Sequence, residues 1–137
     1  MSHWSQQFVG LPWRPGGRDK SGVDCYGLIA LAYRHVARIE LDPLNGLYAT
    51  AEEREDIAAI VAGEAARGPW VIIPEGLERE LDVLLFRCAG LQSHAGVAAG
   101  RGLMLHATAG QPSGIVRYRD GKWRPRFCGA FRHRSLA

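Results

Sequence analysis

The sequence predicts an α+β fold, on two observations. Up to about residue 66 the apolar residues recur at helical spacing between proline and glycine breaks, whereas from residue 83 they fall in short strand-like blocks. Helices first and a meandering antiparallel sheet afterwards make two segregated layers. A chain of 137 residues, 47% hydrophobic and 23% charged, has the size and apolar content of one domain with a single core, so residues 1–137 are expected to form one domain.

The elements follow in order. Trp4, Phe8 and Leu11 share one helical face over residues 2–11, and Pro12 closes that helix. Residues 12–17, Pro-Trp-Arg-Pro-Gly-Gly, cannot continue a helix and read as a shaped loop. A second helix is expected from Asp24 to about Ile39, with Arg34, His35 and Arg38 on its polar side. Cys25 projects about 130° from the centre of that side and therefore inward. His35 points outward, about 15 Å further along the axis, and is excluded as a partner for the thiol.

Residues 42–46 read as a turn, and Thr50 resembles an N-cap for a helix running to about Ala66, with Glu52, Glu53 and Glu55 at its positive end. Gly68-Pro69 ends it, and 70–74 form a short apolar segment. Strands are then expected at 83–86, 94–98, 103–107, 114–118 and 123–131, the last interrupted by Pro125.

Composition removes several function classes. No window approaches the ~18 apolar residues of a membrane span, and the N-terminus lacks the layout of a secretory signal. Synthesis in the cytoplasm, with any export by another route, is the expectation. The spacings of Cys25, Cys88 and Cys128 match neither a CxxC zinc site nor a redox motif, and Cys88 and Cys128 read as buried hydrophobes. The net charge of +3 is modest, and Arg117, Arg119, Lys122, Arg124, Arg126, Arg132 and Arg134 gather near the C-terminus. They read as a solvated strand face or a docking surface, too sparse a stripe to predict nucleic-acid binding.

The chemistry centres on Cys25, which follows a glycine-rich loop and opens an apolar run. The first-turn amides and the positive end of a helix dipole favour thiolate, lowering the pKa from its unperturbed ~8.5. Residues 93–107 have the pattern of a β-hairpin with a glycine-rich tip. With a loop of Ala99-Gly100-Arg101, His94 lies directly opposite His106 and both share a face with Gly96, Ala98 and Met104. A slip of one residue would separate the two rings. Cys25, His94 and His106 thus supply a nucleophile, a base and a group that orients the base. The same three also offer N/S ligands that would suit zinc, but no tight ligand pair accompanies them, and neither metal nor cofactor is expected. Asp24 is expected to cap the helix and point away from the thiol.

Pro12-Trp13-Arg14-Pro15-Gly16-Gly17, then Gly22-Val23-Asp24-Cys25-Tyr26-Gly27-Leu28-Ile29, Asp82-Val83-Leu84-Leu85-Phe86, His94-Ala95-Gly96-Val97 and Leu105-His106-Ala107 together resemble an NlpC/P60 cysteine peptidase, most closely the compact phage-tail form. The resemblance runs from about residue 8 to 110. It implies a papain-like core, a catalytic set falling on Cys25, His94 and His106, and peptidoglycan stem peptides as substrate. Phage-tail or hub proteins would be its structural partners, with action at the cell wall. Trp13, Asp24 and Ser93 are the candidates for the substrate or oxyanion side.

Two positions depart from the family pattern. Trp13 stands where the family usually has a tyrosine whose hydroxyl can assist the oxyanion, so backbone donors such as the Cys25 N–H must carry more of that task. Leu81-Asp82 stands where Gly-Asp usually enters the strand before the hairpin. Two other readings stay open on the sequence: a peptidase-shaped structural part of a tail tip, and another thiol acyl-transfer activity such as an amidase.

Overall fold

A computed structural model describes residues 3–41, 70–88 and 91–136, without the side chains of residues 70, 88 and 91–93. The turn expected at 42–46 and the helix expected at 50–66 lie outside the described residues.

The first helix is shorter and tighter than its periodicity suggests. A 3₁₀ turn spans Trp4–Phe8, capped by the His3 side chain, and the chain is already extended at Val9. Gly10 has a φ of 84° and Pro12 follows, so the helix cannot extend to residue 11. The next loop is tied by strands: β1 (Arg18–Asp19) pairs antiparallel with β2 (Gly22–Val23), and Val23 forms an isolated parallel bridge with Trp13.

Helix α1 (Cys25–Ala32) passes into a π-helical turn at Tyr33–Ala37, which stops at Arg38 in the left-handed region. The helix expected over 24–39 is therefore two pieces. Cys25, Gly27, Leu28, Ile29, Leu31 and Ala32 are all buried, as befits a helix apolar on most sides and covered by the rest of the domain. Arg34 and His35, beyond its end, are exposed as expected.

The main sheet is antiparallel and six-stranded, in the order β3-β8-β4-β5-β6-β7. Its strands are β3 (Trp70–Ile73), β4 (Val83–Cys88), β5 (Leu91–Gly100), β6 (Leu103–His106), β7 (Gly114–Arg117) and β8 (Phe127–His133). The sheet is not a simple meander, because the last strand returns to lie between β3 and β4. α1 packs on β5 and β6. The near face sends Val83, Leu85, Ala95, Val97 and Leu105 toward α1 and Tyr33. The far face sends Leu84, Phe86, Ala98 and Met104 against Tyr118, Trp123 and Ala130.

Pro125 ends the expected strand at 123–131 before it begins. Gly121–Arg126 is a 3₁₀ helix, and β8 starts only at Phe127. Pro125 has no N–H for a ladder, and the short helix lets Trp123 turn into the far-face cluster, 5% exposed.

Of the basic C-terminal residues, Arg117, Arg119, Lys122, Arg124, Arg126 and Arg134 are exposed as expected, and Arg132 is the exception. Arg132 is 8% exposed and donates to both oxygens of buried Asp82, at 2.8 and 2.9 Å. Arg119 lies near Glu78, Arg124 near Glu75 and Arg117 near Asp120. Cys128 is partly exposed rather than buried. No described helix is long and apolar enough to cross a membrane.

Candidate active site

Cys25 is the first residue of α1, 4% exposed, and Asp24 is its N-cap. One oxygen of the Asp24 carboxylate accepts from Gly27 N at 2.7 Å and from Arg18 Nη1 at 2.8 Å; the other accepts from Gly16 N at 2.9 Å. The carboxylate thus faces back into the loop, and the Arg18 guanidinium answers its charge. That removes the objection that an acid beside the thiol would oppose ionisation. Gly27 makes the junction possible: a Cβ there would meet Gly17 O at 1.9 Å.

Trp13 is partly buried against the cluster of Phe8, Val23, Leu28 and Leu31, and bridges Val23 two residues before the cysteine. Arg14 N donates to Val23 O at 3.0 Å and Val23 N to Pro12 O at 2.9 Å, which fixes the Trp13 loop against the entry to α1.

The histidines come from the hairpin, in a register different from the expected one. Val97 pairs with Leu105 and Ala98 with Met104, Ala99 is an extra residue, and Arg101-Gly102 form the turn with positive φ at both positions. The register has moved by two residues, an even number, so His94 and His106 keep a common face but lie diagonally. Gly96 lies between them, and a Cβ on it would come within 3.0 Å of Met104 Sδ and 3.3 Å of His106 Cβ. His94 Nε2 and His106 Nδ1 are hydrogen-bonded at 3.0 Å.

Ser93 is the extra residue of a bulge. Phe86 pairs with His94 but Arg87 with Gln92, so nothing in β4 opposes position 93. Its side chain lies outside the described residues. The paired β5–β6 ladder stops at Val97 and Leu105, so both histidines lie past its end.

The structure therefore brings His94 and His106 together, and sets Cys25 at the mouth of the helix that lies across their two strands. The body of α1 packs on the other face of the sheet from the imidazoles. Among the described residues no group of three or more His, Cys, Asp or Glu side chains could hold a metal ion, so Cys25, His94 and His106 do not converge as zinc ligands.

Burial controls the imidazoles. His94 is 7% exposed and burial pushes its pKa down to about 3, aided by the charges of His106 and Arg126. His106 is 8% exposed and falls to about 4, through burial and then Lys122. Both rings are neutral at neutral pH, so their shared hydrogen bond has one donor and one acceptor. The bond is compatible with either direction; where Nε2–H of His94 donates, its Nδ1 carries the lone pair.

Two contributors escaped the sequence reading. Trp123 stacks on His94 at 4.9 Å and stands edge-on to His106 at 5.2 Å. Its only sequence signal was a tryptophan beside a proline in a supposed strand. Arg18 had a clearer signal, a basic residue six positions before a capping aspartate in a short loop.

The family model described as NlpC/P60 family matches residues 10–132. The chain is 28% identical over 131 residues to the murein DD-endopeptidase MepH of Escherichia coli, covering 92% of this chain and 42% of that protein. It is 28% identical over 117 residues to a probable endopeptidase NlpC homolog of Haemophilus influenzae, covering 85% of this chain and 52% of that protein. The chain thus spans about half, or less, of the length of these curated relatives. The crystal structure of an NlpC/P60 family protein from Bacillus cereus superposes with a TM-score of 0.67 at 20% identity, over 94% of this chain and 37% of that one. At that identity the likeness is one of fold.

Proposed function

The chain belongs to the NlpC/P60 family, and from that premise we propose that it is a cysteine peptidase that hydrolyses peptide bonds in the stem peptides of bacterial peptidoglycan. The observation that carries the mechanism is the 3.0 Å bond between His94 Nε2 and His106 Nδ1; with Nε2–H donating, His94 Nδ1 is left to act as base. The name of one curated relative, a murein endopeptidase, supports the substrate class, and that of the other, a probable endopeptidase, supports the reaction type.

In this reading the Cys25 thiol gives its proton to Nδ1 as the sulfur bonds to the scissile carbonyl carbon. The C–N bond then breaks, the proton passes from Nδ1 to the leaving amine, and an acyl-thioester remains. Water attacks that thioester, with Nδ1 again taking the proton, and returns the thiol. His106 holds the His94 ring in the productive tautomer and rotation. In this reading the thiol would reach the ring at the open end of the β5–β6 ladder, beside Gly96. The backbone N–H of Cys25 serves the oxyanion, and Trp13 and Ser93 border the substrate.

The timing of proton transfer follows from magnitudes. An imidazole near 3 facing a thiol with an unperturbed pKa near 8.5 makes a free ion pair unfavourable by about 7 kcal/mol. Attraction between the two charges at about 4 Å returns roughly 4 kcal/mol at an effective dielectric of 20, and a helix N-terminus up to about 2. Burial of the imidazole thus weighs against a resting ion pair, and in this reading the proton moves with C–S bond formation.

Delivery on a phage tail, docked to a hub protein, belongs to the same proposal and rests on the resemblance to the compact phage-tail form alone. Its test is whether the chain is present in purified particles.

The enzymatic test is incubation of purified peptidoglycan with wild type and with Cys25→Ala, followed by mass analysis of the fragments. Wild type should release fragments with new stem-peptide ends and Cys25→Ala none. Unchanged profiles from both would end the hydrolase reading, and a cut between sugar and peptide would replace it with an amidase.

A further inference from the structure

We propose that Trp123 is the positioning residue of the histidine pair, its indole acting as a single rigid plane that sets the rotation of both imidazoles. The indole lies against His94 at a centroid distance of 4.9 Å and an interplanar angle of 22°. It meets His106 at 5.2 Å and 87°, and the two imidazoles stand at 83° to each other. One plane parallel to the first ring and perpendicular to the second fixes both.

The hydrogen bond between the rings cannot do this alone. It pins Nε2 of His94 to Nδ1 of His106 but leaves each ring free to turn about its contact atom. A turn of the His94 ring would swing Nδ1 away from the direction in which a proton must be received. A stacked indole blocks that turn at little entropic cost, because Trp123 is itself 5% exposed and braced edge-on by Phe86 at 5.2 Å.

The same indole covers the pair and is itself approached by two cations. Lys122 Nζ and Arg126 Cζ, both on exposed residues, lie 5.7 and 5.6 Å from the Trp123 ring centroid. His94 is faced by His106 and Arg126, and His106 by His94 and Lys122. Among the described residues no carboxylate hydrogen-bonds to either ring. Trp123 thus touches both the imidazole pair and the two cations nearest to it.

The consequence for turnover rests on the hydrolase reading; the orientation of the rings does not. Both are tested by imidazole NMR titration alongside peptidoglycan hydrolysis, in wild type, Trp123→Leu and Trp123→Phe. Leucine keeps hydrocarbon in the cluster without a flat ring, and phenylalanine keeps a plane. Tyr118→Leu is the control: it thins the same cluster, touching Phe86 and Phe127 but neither imidazole.

Trp123→Leu is expected to raise the His94 and His106 titration midpoints by about one pH unit or more toward the ordinary imidazole value, as water enters. It should lower kcat about tenfold or more with KM within about threefold, as expected when a base is misaimed rather than substrate binding lost. Trp123→Phe should stay close to wild type in both, and Tyr118→Leu should lower Tm while leaving both unchanged. The proposal is overturned if Trp123→Leu titrates as wild type does, or if Tyr118→Leu shifts the imidazoles equally. Should wild type hydrolyse nothing while the titrations shift as stated, the hydrolase reading falls and the positioning role stands.

Discussion

Asp24 is the residue on which the geometry of the thiol depends most directly. Its two oxygens accept from Gly27, Arg18 and Gly16, and it is 0% exposed. Asp24→Ala removes a helix cap worth about 1 kcal/mol and takes from Arg18 one of its partners, the carboxylate that balances its charge. Urea denaturation should show a loss of about 1–3 kcal/mol, with Asp24→Asn losing less because its amide oxygen still caps. On the proposed function, His94→Ala should lower kcat by about 10²–10⁴-fold in the peptidoglycan assay. The pH midpoint of Cys25 alkylation by iodoacetamide should not rise in this variant, because a neutral imidazole lends the thiolate no charge, and a clear rise would show that the pair rests as ions. The sequence made these residues legible, because Asp-Cys before an apolar run and two histidines on alternating strand positions are local patterns. Trp123 was not legible: it reaches His94 only through the strand, turn and short helix that follow His106.

The junction of loop and helix is the element most sensitive to volume. Alanine at position 27 would add about 1 kcal/mol of helix propensity, but its Cβ would fall 1.9 Å from a backbone oxygen of Gly17. Overpacking costs about 1–3 kcal/mol even where side chains can yield, and here the obstacle is backbone. Gly27→Ala should therefore be destabilising, measured as a lower urea midpoint, and should slow Cys25 alkylation by moving the helix mouth. Leu81 is the opposite case. Its φ of 77° costs about 1–2 kcal/mol for a residue with a Cβ, while its near-complete burial contributes about 1.5–3 kcal/mol. Leu81→Gly relieves the first and forfeits the second, so its stability should fall by only about 1 kcal/mol.

For the molecule as a whole, the buried imidazoles set the response to acid. Both have folded pKa values near 3 to 4, below the ordinary 6.5, so the unfolded chain binds more protons between about pH 6.5 and 4. Stability is fully present above about 6.5 and is lost as pH falls through that window. The slope is about 1.4 kcal/mol per pH unit for each ring still neutral in the fold. Thermal unfolding from pH 8 to 4 should show this decline, and His94→Gln should flatten it by about half. The Arg132–Asp82 pair joins β8 to the entry of β4, and losing one partner leaves the other buried without its countercharge. Arg132→Ala should cost about 3–5 kcal/mol at neutral pH, far more than an exposed arginine would.

The sequence by itself determined the α+β layering, the helix-opening cysteine, and the common face of His94 and His106. Each rests on local periodicity, and a register error of two residues leaves a period of two unchanged. Only the tertiary structure decided that the hairpin turns at Arg101-Gly102, that β8 returns between β3 and β4, that Arg132 is buried rather than solvated, and that Trp123 lies flat on His94. Those outcomes depend on which distant segments share a space. Chain spacing carries no information about that until the sheet has closed around its core.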